Sequence, residues 1–599
     1  MNRRHFIKSS AALPALSILS GCVTAPKTSA ARVRPGVEGW PSDASWDELS
    51  QAVGGRLIKI ESPLTACEKD PGACADFFAR MKNPFYIGDH PELTQTSGWI
   101  GAWTSKPSAF AVAASNTRDV VAAVNFAREH KLRLVVKGGG HSYQGTSNCA
   151  DSLLVWTRAL NSSITVHDAF VPQGCAGKYP PQSAVTAGAG AIWLHLYEAV
   201  TTRAGRYVQG GGCTTVGVAG LIQSGGFGSF SKKYGMAAAA LLEAEVVTAD
   251  GAVRIANACS HPDLFWGIKG GGGGSLGIVT RLTLRTRELP EYFGAVFTTV
   301  KAQSDSAFRE LIARTVAFYR DRLFNPHWGE QIILGPGNTL RISMVFQGIN
   351  GQQATGLWRP FMDWVKASSQ DFSIEEPVII DIPARQFWNA DYIKEKYPSL
   401  IIKDDRPGGR ASDFLWQGDR GQVGWVIHGY RSAWLPASLL KQDQQPRLVE
   451  ALFAASRYWR LSLHFNKGLA GAPAEEIAAA AETATNPAVL DAFALAIIAG
   501  GGPPAFPGIA GHEPNVPVAR EQRREIDRAM DELLKVVSVR GSYVSESDFF
   551  ERPWQESFWG KNYPRLAAVK KKYDPQGLFF VHHGVGSEKW SADGFTPAA

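Results

Sequence analysis

The placement of glycine constrains this chain more than any other sequence feature. Residues 210–228 carry eight glycines in nineteen positions. Ordering glycine costs more backbone entropy than ordering any other residue, so this run is neither a stable helix nor a central strand throughout. Backbone there must approach something closely. A shorter cluster lies upstream in Val135-Val136-Lys137-Gly138-Gly139-Gly140-His141-Ser142-Tyr143. Two β-branched residues end a strand, and three glycines then turn the chain with their N–H groups outward. Successive exposed N–H groups form a cradle for phosphate. A third cluster, 270–274, follows Asp263-Leu264-Phe265-Trp266 and leads into a strand at 276–280. None of the three is Gly-x-Gly-x-x-Gly opening a helix, and no Gly-Lys-Ser/Thr is present, which argues against a nicotinamide-type Rossmann site and a P-loop.

The surrounding pattern is α+β. Residues 109–113 read as a strand. Asn116 reads as a helix cap, with Val120, Val121, Val124, Phe126 and Ala127 at helical spacing, and 132–136 as the next strand. At 599 residues more than one lobe is expected. Past residue 290 the glycine clusters thin out. Residues 293–300 and 340–346 alternate as antiparallel strands, while 304–319 and 445–458 are amphipathic helices. The expected division is an irregular segment at 31–103, a glycine-rich domain at 104–289, an α+β lobe with an antiparallel sheet at 290–540, and a tail at 541–599.

Residues 1–30 read as a targeting segment. Asn2-Arg3-Arg4-His5-Phe6-Ile7-Lys8 is a twin-arginine pattern, and Leu19-Ser20-Gly21-Cys22 resembles a bacterial lipobox. Export to the periplasm or cell envelope is expected, either lipid-anchored at Cys22 or cleaved after 28–30. Net charge is +7 with Lys and Arg scattered, so no nucleic-acid partner is indicated. Disulfides are permitted in an exported protein. Cys67 and Cys74 flank a Pro-Gly turn and are expected to pair. Cys149 with Cys175 is a second candidate, Cys259 a buried thiol, and Cys213 is left over. No Cys or His spacing predicts a metal site, and adjacent His582 and His583 point to opposite faces of an extended chain.

Together Lys137-Gly-Gly-Gly-His141-Ser142, Cys213-Thr-Thr-Val-Gly-Val-Ala-Gly220, Asp263-Leu-Phe-Trp266 with its glycine run to Ile278, and Asn562-Tyr-Pro-Arg-Leu566 with Tyr573-Asp-Pro575 resemble flavoprotein oxidases of the vanillyl-alcohol-oxidase type. The berberine-bridge-enzyme-like branch matches best, over about 104–289 and 541–580. The resemblance implies a two-lobed fold with a PCMH-type FAD-binding domain of two α+β subdomains. FAD would bind around Lys137, Gly138, Gly139, Gly140, Ser142, Val216, Gly217, Gly220, Ser224, Gly225, Gly226, Ile278, Asn562 and Tyr563. His141 and Cys213 would both bond to the isoalloxazine ring, at the 8α carbon and at C6. Both residue types are nucleophiles able to add to an electron-poor ring. The implied reaction passes a hydride from an alcohol carbon to FAD. The substrate would be a small molecule or an oligosaccharide. Val216 stands where oxygen-using members commonly keep valine, so O2 is the expected acceptor and H2O2 the product.

The proton acceptor departs from the family pattern. Many relatives carry tyrosine where this chain has Phe227, and Tyr-x-Asn-Tyr-x-Asp becomes Tyr543-Val544-Ser545-Glu546-Ser547-Asp548. Glu546, expected as a partly desolvated carboxylate, and Tyr543 are the catalytic candidates. Arg431 and Glu330 are weaker ones and equally read as a strand-face pair. Two competing readings stand beside the oxidase: a dehydrogenase of the same fold using a quinone or cytochrome, and a cell-envelope binding protein that retains FAD structurally.

Overall fold

The computed structural model describes residues 31–161, 163–538 and 541–598. The proposed targeting segment, with Cys22, lies outside them. Two smaller sheets and one large one carry the architecture.

The first sheet orders Leu57–Lys59, Phe110–Ala113, Ser152–Trp156 and Arg133–Lys137. The last three run parallel, and helix Thr117–Glu129 crosses over between two of them. The Asn116 side chain accepts from Asp119 N at 3.2 Å, the cap predicted from sequence. Val120, Ala123, Val124 and Ala127 bury the helix face against the sheet. The second sheet is antiparallel, in the order Val253–Asn257, Leu241–Val247, Ile278–Glu288, Gln182–Gly188 and Ile164–Phe170. The glycine-rich turns lie where these two sheets meet.

The third sheet has ten strands and contains the antiparallel pairs predicted at 293–300 and 340–346, observed as Tyr292–Ala302 and Thr339–Gln347. Helices Asp305–Phe318, Gln445–Tyr458 and Val516–Leu534 cover one face with an apolar core. Alternation along Val426–Pro436 sorts its side chains. Ala433 and Leu435 enter the helix-covered core, while Tyr430 and Trp434 face the FAD-binding half with Phe227 and Tyr543. Lys232 fastens the two halves. Its buried Nζ donates to Gly468 O at 2.8 Å, Ala470 O at 2.8 Å and Phe493 O at 3.1 Å. Burial pulls this ammonium down to about 7.

Three expectations are corrected. Residues 31–103 are not irregular: they hold helices Asp43–Ala52, Thr65–Lys69, Pro71–Arg80 and Pro84–Gly88. Strand Leu57–Lys59 edges the first sheet, and Gly98–Trp99 pairs parallel with Val426–Ile427 at the edge of the third. The segment therefore joins both halves, which its Pro and Gly content concealed. The second disulfide joins Cys175 to Cys259, leaving Cys149 and Cys213 as thiols; Cys67 pairs with Cys74 as expected. Partners 84 residues apart along the chain meet because the loop after Ile164–Phe170 reaches the end of Val253–Asn257, where Asn257 Nδ2 donates to Gln173 O at 3.0 Å.

Candidate active site

The first glycine turn leaves the end of strand Arg133–Lys137 and meets the second glycine region directly. A Cβ on Gly139 would stand 2.7 Å from Gly217 N and 2.8 Å from Thr215 O, so neither backbone tolerates a side chain there. Gly140 adopts a left-handed φ of 77°. Among the described residues, the N–H groups of Gly138, Gly139, Gly140, His141 and Ser142 donate to no protein acceptor. That is the donor row a pyrophosphate needs.

His141 follows the turn. Its Nε2 lies 3.0 Å from Thr215 Oγ1, two residues from Cys213, so the histidine and cysteine arms share one cleft. Burial holds the His141 imidazole down to about 4, which keeps it neutral near pH 7. Cys213 is a half-buried thiol pushed well above its usual range by burial, with the Asp419 carboxylate next in weight.

Several residues implied as cofactor contacts shape the cradle without facing it. Lys137 is buried, and its Nζ donates to His90 O at 2.8 Å, Pro91 O at 2.7 Å and Leu93 O at 2.8 Å. It clamps the N-terminal segment instead of reaching a phosphate. Asn562 Nδ2 donates to Thr485 O at 2.7 Å, and the Tyr563 hydroxyl to Glu588 at 2.6 Å. Ile278 packs in the core beneath the first sheet. Ser142 accepts from the Thr146 hydroxyl at 2.7 Å, and Ser224 Oγ donates to Gly220 O at 3.0 Å. Val216 is half-buried, and its carbonyl accepts from Trp193 N at 3.1 Å.

The opposite wall comes from the large sheet and the tail. Glu546, expected from sequence as a partly desolvated carboxylate, is ion-paired. Lys467 Nζ donates to both its oxygens, at 2.7 and 2.6 Å, and Ser432 Oγ donates to its backbone carbonyl at 2.5 Å. Tyr543 is buried edge-on to Phe227, ring centroids 5.0 Å apart, and accepts from Gly226 N at 3.3 Å. Burial, then the Glu546 charge, raises its phenol above the ordinary value. A phenol raised in this way is the poorer proton acceptor of the two candidates.

Glu330 belongs to this wall as well. Alternation along Trp328–Gly335 would send it to the helix-covered face with Trp328 and Ile332. A left-handed φ of 63° turns it away, and its carboxylate accepts from Ser229 Oγ at 2.5 Å. Strain of this kind, roughly 1–3 kcal/mol, persists where surrounding structure over-determines it. Burial raises the Glu330 carboxyl, with Ser229 and Lys467 opposing. Arg431 instead points to the helix face, where Nη1 meets Asp527 at 2.9 Å. Four wall residues escaped sequence reasoning: Tyr143, Asp419, Tyr430 and Lys467. Only Tyr143, beside the histidine, carried a usable signal. Its ring lies 5.3 Å from that of Tyr430, and its hydroxyl donates to Gln422 at 3.0 Å. Among the described residues no group of three His, Cys, Asp or Glu side chains could hold a metal.

Comparison with known proteins agrees with this geometry. Residues 108–257 match the family described as FAD binding domain, and 542–586 the family described as berberine and berberine like. The crystal structure of the VAO-type flavoprotein MtVAO615 from Myceliophthora thermophila C1 is 25% identical, with a TM-score of 0.75 over 94% of this chain and 99% of that one. The chain is an FAD-dependent oxidoreductase with the fold of vanillyl-alcohol-oxidase-type flavoproteins and a berberine-like C-terminal segment. This flavoprotein is also 28% identical to the FAD-linked oxidoreductase malF of Malbranchea aurantiaca, over 99% of this chain and 98% of that protein. Its fold further resembles glucooligosaccharide oxidase from Acremonium strictum, studied for the roles of its 6-S-cysteinyl, 8α-N1-histidyl FAD. That likeness has a TM-score of 0.61 at 19% identity, covering 82% of this chain and 94% of that one. The donor row at 138–142, the Gly139–Gly217 approach and the two nucleophiles beyond it fit FAD.

Proposed function

We propose that this flavoprotein oxidises an alcohol group, of a small molecule or an oligosaccharide, with FAD attached through His141 and Cys213 and O2 as electron acceptor. The observation that carries the reading is the meeting of two nucleophiles and one ion-paired carboxylate in a single cleft. His141 and Cys213 approach from the glycine turns, and Glu546 faces them from the tail. The two tethers named for glucooligosaccharide oxidase support their assignment.

FAD, when bound, accepts a hydride from the substrate carbon and passes two electrons on. The chain's own groups do the rest. Glu546 takes the proton of the substrate hydroxyl, held in place by Lys467 and by Ser432 on its carbonyl. Tyr543, with a phenol too weakly acidic to exchange protons readily, buttresses the loop against Gly226. Tyr143 and Tyr430 offer an aromatic face to a ring-shaped substrate. The carbohydrate oxidase from Microdochium nivale among the structural neighbours supports an oligosaccharide reading.

Export through the twin-arginine pattern at residues 2–8, with lipidation at Cys22 as the alternative to ordinary cleavage, completes the proposal. Mass measurement of the mature N-terminus tests it. The catalytic reading is tested by an anaerobic substrate screen followed by bleaching of the flavin. Rapid reoxidation by O2 with peroxide release supports an oxidase. Slow reoxidation by O2 but fast reoxidation by a quinone makes it a dehydrogenase. No bleaching with any alcohol or sugar overturns the proposal.

A further inference from the structure

Backbone strain puts Glu330 in the cleft. Its φ of 63° is left-handed, a region that a glutamate enters only when its surroundings require it. Gly329 before it is pressed onto Ser229 O, where a Cβ would collide. Ser229 itself stands beside the cysteine arm, for a Cβ on Gly212 would lie 4.0 Å from Ser229 Oγ. The kinked backbone still keeps its place in the sheet, where Phe465 N donates to Glu330 O at 2.9 Å.

One carboxylate oxygen of Glu330 is occupied. Oε1 accepts from Ser229 Oγ at 2.5 Å and from Asn466 Nδ2 at 3.4 Å, both neutral donors. Among the described residues no protein donor reaches Oε2, and Glu330 forms no ion pair. The neighbouring cation is spent: Lys467, next to Asn466 in the chain, holds both oxygens of Glu546 at 2.7 and 2.6 Å. One ammonium thus serves two carboxylates, and one negative charge is left without a partner. A half-buried carboxylate without a counter-charge is costly, and here backbone strain adds to the cost. A ligand that brings the missing charge offsets both.

We propose that Glu330 is a specificity-determining residue that binds a protonated amine of the substrate, beside the hydroxyl that Glu546 deprotonates. This rests on the alcohol-oxidation reading above and narrows its substrate class to amino alcohols and amino sugars. A cationic nitrogen donates to Oε2, balances the charge and makes a charge-assisted hydrogen bond, the stronger kind. A neutral hydroxyl supplies the hydrogen bond without the charge. An acidic group meets like charge and is turned away.

The test uses the full-length holoenzyme without oxygen and reads the rate of flavin bleaching. Each alcohol or sugar of the screen above is paired with its amino counterpart, glucose with glucosamine and phenylethanol with phenylglycinol among them. At low substrate concentration the amino member should be favoured at least about tenfold, the lower end for a close charge pair. Glucuronate should be poorer than glucose. Glu330→Gln, once its flavin spectrum matches the wild type, should bring the ratio within each pair to about one. Glu330→Asp keeps the charge and should retain a preference. Equal rates with both members in the wild type, or an undiminished preference in Glu330→Gln, overturn the proposal and leave the oxidase reading standing. No bleaching with either member of any pair overturns both.

Discussion

Lys467 Nζ lies 2.6 Å from one oxygen of Glu546 and 2.7 Å from the other, a pair that bridges the large sheet and the tail. Replacing family tyrosine with glutamate thus comes with a counter-charge that no motif announced. Glu546→Gln is expected to keep its FAD and slow anaerobic flavin reduction about 10²–10⁴-fold, the usual contribution of a positioned base. Unchanged reduction would remove Glu546 from the reaction. Lys467→Met deprives the carboxylate of its partner and should slow flavin reduction while the FAD is retained.

Attachment through two residues has a simple signature. His141→Ala and Cys213→Ala should each remain yellow after denaturation and precipitation, because the other bond persists. The double variant should release its flavin. A colourless precipitate from either single variant would show that only one bond forms.

Gly139→Ala tests the contact between the two glycine turns. Its methyl would need the space of Gly217 N and Thr215 O, both under 3.0 Å away. The turns must part, and a loss of roughly 1–3 kcal/mol is expected from overpacking. FAD content should fall with the melting temperature. Gly356→Ala, on the exposed side of helix Gly351–Ala367 with nothing within 4 Å of its Cβ, is the control and should lower neither.

Asp419 also predicts a pH-dependent stability. Its folded pKa, about 6, lies above that of an ordinary carboxylate. Its relative contribution to stability is therefore fully present below the unfolded value and lost as pH rises through about 6. Asp419→Asn should raise the melting temperature of the apoprotein above pH 7, with a gain of order 1 kcal/mol after allowing for solvent screening. The gain should vanish near pH 4. An equal gain at both pH values would refute the assignment.

The corrected disulfide separates the thiols. Cys259→Ser breaks the bridge to Cys175 and should cost about 2–4 kcal/mol, measured by denaturant unfolding. Cys149→Ser should change stability little, since Cys149 is unbridged.

Local rules made much of this protein legible in sequence. Glycine clusters marked the close backbone approaches because only glycine permits them, and Gly139 against Gly217 is such a contact. Helical and alternating periods found Thr117–Glu129, Asp305–Phe318 and the strand pair 292–302 and 339–347, because burial on one face imposes a period. Residues 31–103 were misread because short helices beginning at prolines, Pro71–Arg80 and Pro84–Gly88, leave too few turns for a period to show. Cys175 found Cys259 because the loop after Ile164–Phe170 reaches the end of Val253–Asn257, a relation no spacing encodes.

The sequence by itself pointed to FAD through its resemblance to a flavoprotein family, and it singled out His141 and Cys213 as the proposed attachment points, because both sit in contiguous motifs. Only the tertiary structure decided what surrounds them. Lys467 reaches Glu546 across 79 positions, and Glu330 enters the cleft through one left-handed φ. The Asp419 carboxylate acts on Cys213 from the turn Gln417–Gln422. Ion pairing and desolvation depend on distance in space, so the protonation of this cleft is a property of the fold, while the identity of its reactive atoms is a property of the chain.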